Sequence, residues 1–190
     1  MIPAVMPSYA RVDVAFERGE GPYLYATDGR RFLDFGAGIA VSAAGHAHPH
    51  LIEALVNQAG KLWHTSNLYR ISEQERLAER LVQATFADSV FFCNSGGEAV
   101  ESSVKMVRKY HHDAGRPERY RVLAFEGAFH GRTLAMISAG ANAAHKKGFG
   151  PMVDGFDHVS FGNLEEVRGA VASETAAILV EPVQGEGGIR

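Results

Sequence analysis

Three short apolar runs constrain this chain more than any other feature. SVFFC (Ser89 to Cys93), RVLAF (Arg121 to Phe125) and AAILVEPV (Ala176 to Val183) are separated by stretches with helical signals. Apolar runs of this length that do not alternate in polarity belong to strands buried on both faces. Strands of that kind, alternating with helices, specify an α/β fold with a mostly parallel sheet covered on both sides. In such sheets ligands sit at the carboxyl ends of the strands. The unusual residues of this sequence fall at those ends.

The helical signals are of two kinds. Leu51, Leu55, Gln58 and Leu62 recur at helical spacing, and Glu98 to about His111 carries Ala99, Ser103, Met106 and Tyr110 on one face. Ser72 with Glu75, and Asn163 with Glu166, have the spacing of capping boxes and open two further helices. Ahead of them, YLYATDGRRFLDF (Tyr23 to Phe35) reads as a hairpin turning at Asp28-Gly29.

After Val90 to Cys93 comes NSGGEAVE. A helix start leaves backbone N–H groups without intrahelical partners, and with the helix dipole these hold a phosphate. Gly96 and Gly97 let the backbone come close to such a ligand. The dipole contributes only ~0.3–1 kcal/mol at an exposed site, so the N–H hydrogen bonds must carry the affinity. Taken alone, Asn94 to Gly97 serve a phosphate or a plain tight turn equally well.

After Val122 to Phe125 comes EGAFHGRT. Phe129 can stack on a flat ring, and Arg132 can grip a carboxylate with two N–H groups. The bland alternative is a loop whose phenylalanine covers the core and whose arginine is solvated. After Ala176 to Val180 comes EPVQGEGG, where Glu181 and Glu186 follow a strand that reads as buried. A buried carboxylate needs a partner or a task. The convergence of a phosphate cradle, a ring-stacker with an arginine and two carboxylates on successive strand ends outweighs the separate bland readings.

Other classes fare worse. The chain has 190 residues, 46% of them hydrophobic, enough for one sizeable domain or a large piece of one. Its 19 basic and 22 acidic residues are scattered, with no basic stripe for nucleic acid. No GxxxxGK[ST] occurs, and GAGIAV has Val41 where a dinucleotide fingerprint needs a third glycine. His46, His48 and His50 in HAHPH look metal-like but have no cysteine or acidic residue close in sequence, so no metal site is expected there. Cys93, the single cysteine, reads as core, and Lys105, Arg108 and Lys109 as a solvated helix face. The N-terminus lacks a basic stretch and is broken by Pro3 and Pro7, so it does not read as a signal peptide. No run is long enough to span a bilayer, and a cytoplasmic protein is expected.

FFCNSGGEAVESSVKMVRKYH, FEGAFHGRT, GFGPMVDGFDHV and AAILVEPVQGEGGI, in that order, resemble the class III pyridoxal-phosphate aminotransferases. SYARVDVAFERGEGPYLYATDGRRFLDFGAGIAVSAAGHAHP fits the same family, so the likeness covers essentially the whole chain. It implies the type I pyridoxal-phosphate aminotransferase fold, with residues 1–50 as the N-terminal segment of the small domain and 51–190 as the first part of the large one. It implies pyridoxal 5'-phosphate held through Ser95, Gly96 and Gly97, stacked on Phe129 and close to Glu181. Arg132 would bind the substrate α-carboxylate, Tyr9 would help place the substrate, and Glu186 would pair with a distant arginine to gate two half-reactions. No role is implied for His130.

The reaction implied is transfer of the side-chain amino group of N2-acetyl-L-ornithine to 2-oxoglutarate by a homodimer, a ping-pong sequence in arginine biosynthesis. Ornithine, 4-aminobutyrate and succinyldiaminopimelate are amine donors of related enzymes. A non-catalytic phosphate-ligand binding module is the reading from another class. In the family a lysine that carries the cofactor covalently, and an aspartate that pairs with its ring nitrogen, follow the segment that ends here at Arg190. Lys105, Lys109, Lys146 and Lys147 do not match that lysine motif, so no catalytic residue is expected within these 190 residues, and the isolated chain is expected to be inactive. Three departures stand out: Gly97 where relatives carry Ala or Thr, Ser42 in place of an Asn, and EAVESS in place of EANEAA.

Overall fold

The turn at Asp28-Gly29 closes the hairpin expected from the sequence. Strands β1 (Phe16–Glu20), β2 (Tyr23–Ala26) and β3 (Arg31–Leu33) form an antiparallel sheet in that order, with Tyr23 opposite Leu33 and Tyr25 opposite Arg31. Asp28 Oδ1 accepts the Arg30 backbone N–H at 3.1 Å, and Gly29 takes a φ of 85°, a conformation glycine enters without steric cost. Strand β1 carries no alternating apolar pattern, and only its pairing with β2 defines it. The computed structural model describes residues 4–190, so the part of the N-terminal reading that rests on Pro3 lies outside the described residues.

The chain divides into two compact units, the first ending at Arg80 and the second running from Leu81 to Arg190. In the first, the single turn α1 (Ala37–Ala40) winds with positive φ at all four residues, and α2 (Pro49–Ala59) and the start of α3 (Ser72–Ala84) follow. Ser72 lies inside the first turn of α3 rather than at its cap, and the Glu75 carboxylate pairs with Arg70 at 2.8 Å. His46 does have an acidic partner after all. Asp34, twelve residues upstream, meets His46 Nε2 at 2.7 Å and also accepts the N–H groups of Gly36 and Ala37. That pair, with the backbone bonds, holds the Asp34 carboxyl below its ordinary pKa. Among the described residues no helix is long and apolar enough to cross a membrane.

The second unit is built on the parallel sheet β5-β4-β6, with β4 (Arg121–Phe125) in the centre between β5 (Phe156–Val159) and β6 (Thr175–Ile178). Helices α4 (Gly96–Asp113), α5 (Leu134–Ala139), α6 (Ala143–Lys146) and α7 (Leu164–Ala170) complete it. Val122, Met136 and Ala139 pack with Val104 of α4, while Leu123, Phe125 and Val159 form a second cluster against Phe161 and Val167. Full burial of side chains such as Leu123 and Val122 contributes roughly 1.5–3 kcal/mol each.

Four expectations need correction. Residues 90–93 form no strand, because nothing among the described residues pairs with them; Phe91 and Cys93 are exposed rather than core. The strand in the run from Ala176 ends at Ile178, which is 48% exposed, and the last bond to β4 is the Leu179 N–H to the Leu123 carbonyl at 2.8 Å, so the third strand is shorter and less buried than its composition suggests. Helix α4 buries Val104 and His111, with Val100 alongside, whereas Met106 and Tyr110 stay exposed. Arg108 does not sit on a solvated face, since it donates to the Asp154 carbonyl at 3.0 Å and lies over the Tyr120 ring. Asn163 caps α7 as expected, accepting the Glu166 N–H at 3.2 Å.

Arg121 ties β4 to β5 through Asp157, with contacts of 2.6 and 2.8 Å. Hydrogen bonding from Arg121 holds the Asp157 carboxyl below its ordinary 3.8. A group whose folded pKa is depressed adds stability above its unfolded pKa and loses it as pH falls through the folded one. Stability should therefore fall as pH drops below about 4, and Asp157→Asn should flatten that part of the curve. Urea midpoints measured between neutral pH and about pH 3 check this; an unchanged slope in the variant would contradict it.

Candidate functional site

Helix α4 starts at Gly96, immediately after Ser95, whose extended backbone and side-chain oxygen make it the N-cap. Ser95 Oγ accepts the Glu98 N–H at 3.2 Å, and the Glu98 carboxylate reaches back to the Asn94 N–H at 2.7 Å. Those two bonds occupy the flanks of the helix start. The N–H groups of Gly96 and Gly97, in the first turn, have no intrahelical acceptor and remain for a ligand. A Cβ at Gly96 would meet nothing within 4 Å, so the space beside Gly96 is open. Donor set, open space and the positive end of an 18-residue helix all suit a phosphate.

The loop after β4 is brought onto this cradle by glycine. Gly131 has φ 124°, and a Cβ on it would stand 2.8 Å from Gly97 Cα, closer than real side chains come. The backbone at Gly131 therefore passes directly against the start of α4. Thr133 fixes the far end of the loop, donating to Glu101 Oε2 at 2.6 Å and capping α5 through the Met136 N–H. Phe129 is left 37% exposed, with the Arg132 guanidinium 5.3 Å from its ring centre and His145 edge-on at 6.1 Å. A partly exposed ring beside a guanidinium can take a flat anionic ligand by stacking and by paired N–H···O bonds.

The loop after β6 closes against the same segment. Glu181 Oε2 accepts the Phe129 N–H at 3.1 Å, which supplies the partner its half-buried carboxylate requires. Glu186 is exposed and lines, with Glu126, Ala141 and Asn142, a concavity of about 430 Å³. Burial lowers the pKa of His130, with the Glu181 charge acting in the opposite direction. Its Nε2 is buried without a partner among the described residues.

Seven of the residues singled out from the sequence thus lie in one unit, on three segments: Ser95, Gly96 and Gly97 at the cap and first turn of α4; Phe129 and Arg132 on the loop after β4; Glu181 and Glu186 on the loop after β6. Direct contacts join Gly97 to the loop after β4 and Glu181 to Phe129. Tyr9 lies in the first unit, exposed on an irregular segment. Two residues escaped the sequence reading. Thr133 carried a usable signal, a threonine immediately before the apolar run LAMISA. Gln184 carried none, since a glutamine in a glycine-rich loop is ordinarily solvated, yet here it is fully buried.

Residues 5–190 match the family model described as aminotransferase class-III. An acetylornithine aminotransferase of Rhodobacter capsulatus is 60% identical over the whole of this chain and 48% of its own length. The crystal structure of N-acetylornithine aminotransferase from Stenotrophomonas maltophilia K279a is 41% identical, covers 95% of this chain and 44% of its own, and superposes with a TM-score of 0.78. Ornithine aminotransferase from Toxoplasma gondii, crystallized with partial occupancy of PLP at its active site, is 30% identical with a TM-score of 0.93, over 98% of this chain and 44% of its own. The chain spans about half the length of the curated relatives it matches.

Proposed function

The chain belongs to the class III aminotransferases, whose fold is the pyridoxal-phosphate aminotransferase fold, and on that premise we propose that its parent protein moves the side-chain amino group of N2-acetyl-L-ornithine to 2-oxoglutarate. The observation that supports this reading is the close approach of Gly131 to Gly97, which brings the segment carrying Phe129 and Arg132 up to the start of α4. Acetylornithine is favoured over other amines by the names of the relatives at 53–60% identity, all acetylornithine aminotransferases.

In this reading the N–H groups at Ser95, Gly96 and Gly97 hold the phosphate of pyridoxal 5'-phosphate. The Phe129 ring packs on the cofactor ring, and Glu181 keeps that ring in place by anchoring the Phe129 backbone. Arg132 binds the substrate α-carboxylate; Tyr9 and Glu186 contribute to the substrate end. When bound, the cofactor supplies the electron sink and carries the amino group between the two substrates. The residues of this chain bind, orient and exclude water, and none of them is assigned a covalent role. A homodimer acting in the cytoplasm, at a step of arginine biosynthesis, completes the proposal.

The test is kcat/KM of the full-length protein with N2-acetylornithine, ornithine, 4-aminobutyrate and succinyldiaminopimelate, each with 2-oxoglutarate. Acetylornithine should lead by at least tenfold, a difference of about 1.4 kcal/mol in transition-state binding. Ornithine is the competitor to watch, since the enzyme named for it superposes at a TM-score of 0.93. A tenfold lead for ornithine or 4-aminobutyrate would overturn the substrate assignment and leave the family assignment standing.

A further inference from the structure

Gln184 has no place in the site as described, yet it is 0% exposed and among the largest fully buried side chains of the chain. Its Nε2 donates to the Glu126 carbonyl at 2.9 Å. Its own backbone is locked as well, the Gln184 N–H to the Arg190 carbonyl at 2.9 Å and the Arg190 N–H to the Gln184 carbonyl at 3.1 Å. The amide sits between two glycines. A Cβ on either Gly127 or Gly187 would come within 2.9 Å of Gln184 Oε1. Oε1 has no hydrogen-bond partner among the described residues. Burying an unsatisfied acceptor is unfavourable, so a leucine or methionine of similar size would serve packing better.

We infer that Gln184 is a positioning residue, stapling the loop that carries Glu181 and Glu186 to the loop that carries Phe129 and Arg132. Two side chains from one loop grip the backbone of the other, Gln184 at the Glu126 carbonyl and Glu181 at the Phe129 N–H. With both grips in place, residues 126–129 carry a side-chain contact at each end, and the backbone that bears the Phe129 ring is fixed. Without Gln184 the Glu126 N–H stays bonded to the Val159 carbonyl at 2.9 Å and Glu181 still holds the Phe129 N–H, but the Glu126 carbonyl is released and the segment keeps only one of its two side-chain grips. The direction of Gln184 toward a backbone carbonyl, and the two glycines that admit it, set this role apart from packing. The inference rests on the proposed cofactor site for its functional consequence, but the staple itself does not.

The test uses the full-length protein and Gln184→Met, which keeps the volume and removes both the donor and the orphaned acceptor. Because those two losses offset each other in stability, the melting temperature should stay within a few degrees. Hydrogen–deuterium exchange of residues 126–131 in cofactor-free protein should speed up by about tenfold, the scale of one lost hydrogen bond. Pyridoxal phosphate should bind about tenfold or more weakly, since small misplacements of a positioned group are costly. Gln184→Glu, whose buried carboxyl stays protonated and can donate to the Glu126 carbonyl, should restore wild-type exchange at neutral pH and lose it as pH rises.

Unchanged exchange of 126–131 in Gln184→Met would overturn the staple, as would a Gln184→Glu variant that follows wild type at every pH. Faster exchange with unchanged cofactor affinity would overturn the positioning role. Should Gln184→Met fail to fold, the pH dependence of Gln184→Glu decides alone. If the wild-type protein binds no pyridoxal phosphate, the functional reading fails, and the exchange data still judge the staple.

Discussion

Replacing Gly131 by alanine should cost more than any other single methyl in the site. The residue sits at φ 124°, where an L side chain is strained by about 1–3 kcal/mol on backbone grounds alone. The added Cβ would also stand 2.8 Å from Gly97 Cα and 3.3 Å from Met136 Cβ. Gly97 Cα is backbone at the start of an 18-residue helix and cannot step aside, so the 126–132 loop must lift away. Lifting it withdraws Phe129 and Arg132 from the cradle. Pyridoxal phosphate affinity should fall by about a hundredfold, in keeping with the effect of ångström-scale misplacement. The mirror substitution is the control. A Cβ on Gly97 would lie 3.6 Å from Gly131 Cα, an ordinary contact, and alanine is better than glycine in a helix by up to about 1 kcal/mol. Gly97→Ala should fold at least as well and bind the cofactor about as tightly. Thermal melts and cofactor titrations of the two variants check both statements; equal effects from the two would remove the close approach as the organising contact of the site.

Arg132→Lys should retain charge and lose function. A lysine ammonium cannot make the two parallel N–H···O bonds that a guanidinium makes to a carboxylate, and it gives up the broad face that lies 5.3 Å from the Phe129 ring centre. Losing a hydrogen bond to a charged group costs about 1.5–3 kcal/mol, roughly ten- to a hundredfold in kcat/KM. The loss should appear with both substrates, because both carry an α-carboxylate, while pyridoxal phosphate affinity changes little. Stability should not move, since Arg132 is exposed. A variant with wild-type KM for acetylornithine would remove Arg132 from the substrate site.

How much of this was legible in the sequence depended on whether the determinant was local. The Asp28-Gly29 hairpin, the central strand Arg121–Phe125 and the cap at Asn163 are set by neighbouring residues and turned out as expected. Strand β5 was missed because FDHV reads as polar; its aspartate is there to pair with Arg121 on the next strand, a relation no local pattern displays. The opposite error came at Val90 to Cys93, which has strand composition and no partner among the described residues. Strand identity is a property of pairing as much as of residues. The site divides in the same way. Ser95 to Gly97 stood out because a strand-like run, glycines and a helix start are punctuation visible in order. That Gly131 would meet Gly97, and that a buried Gln184 would tie the loop after β4 to the loop after β6, are tertiary facts between residues 34 or more apart in sequence; the |i−j| of the Gln184 bond alone is 58.

The affinity of the full-length protein for pyridoxal phosphate compared with pyridoxal asks directly whether Ser95, Gly96 and Gly97 form a phosphate cradle. The two ligands share the ring and the aldehyde and differ only in the group that the α4 N-terminus would hold. Several backbone N–H bonds to a dianion, each worth about 1.5–3 kcal/mol, should make the phosphorylated form bind at least a hundredfold more tightly. Equal affinities for the two would contradict the cradle and, with it, the functional reading built on this site.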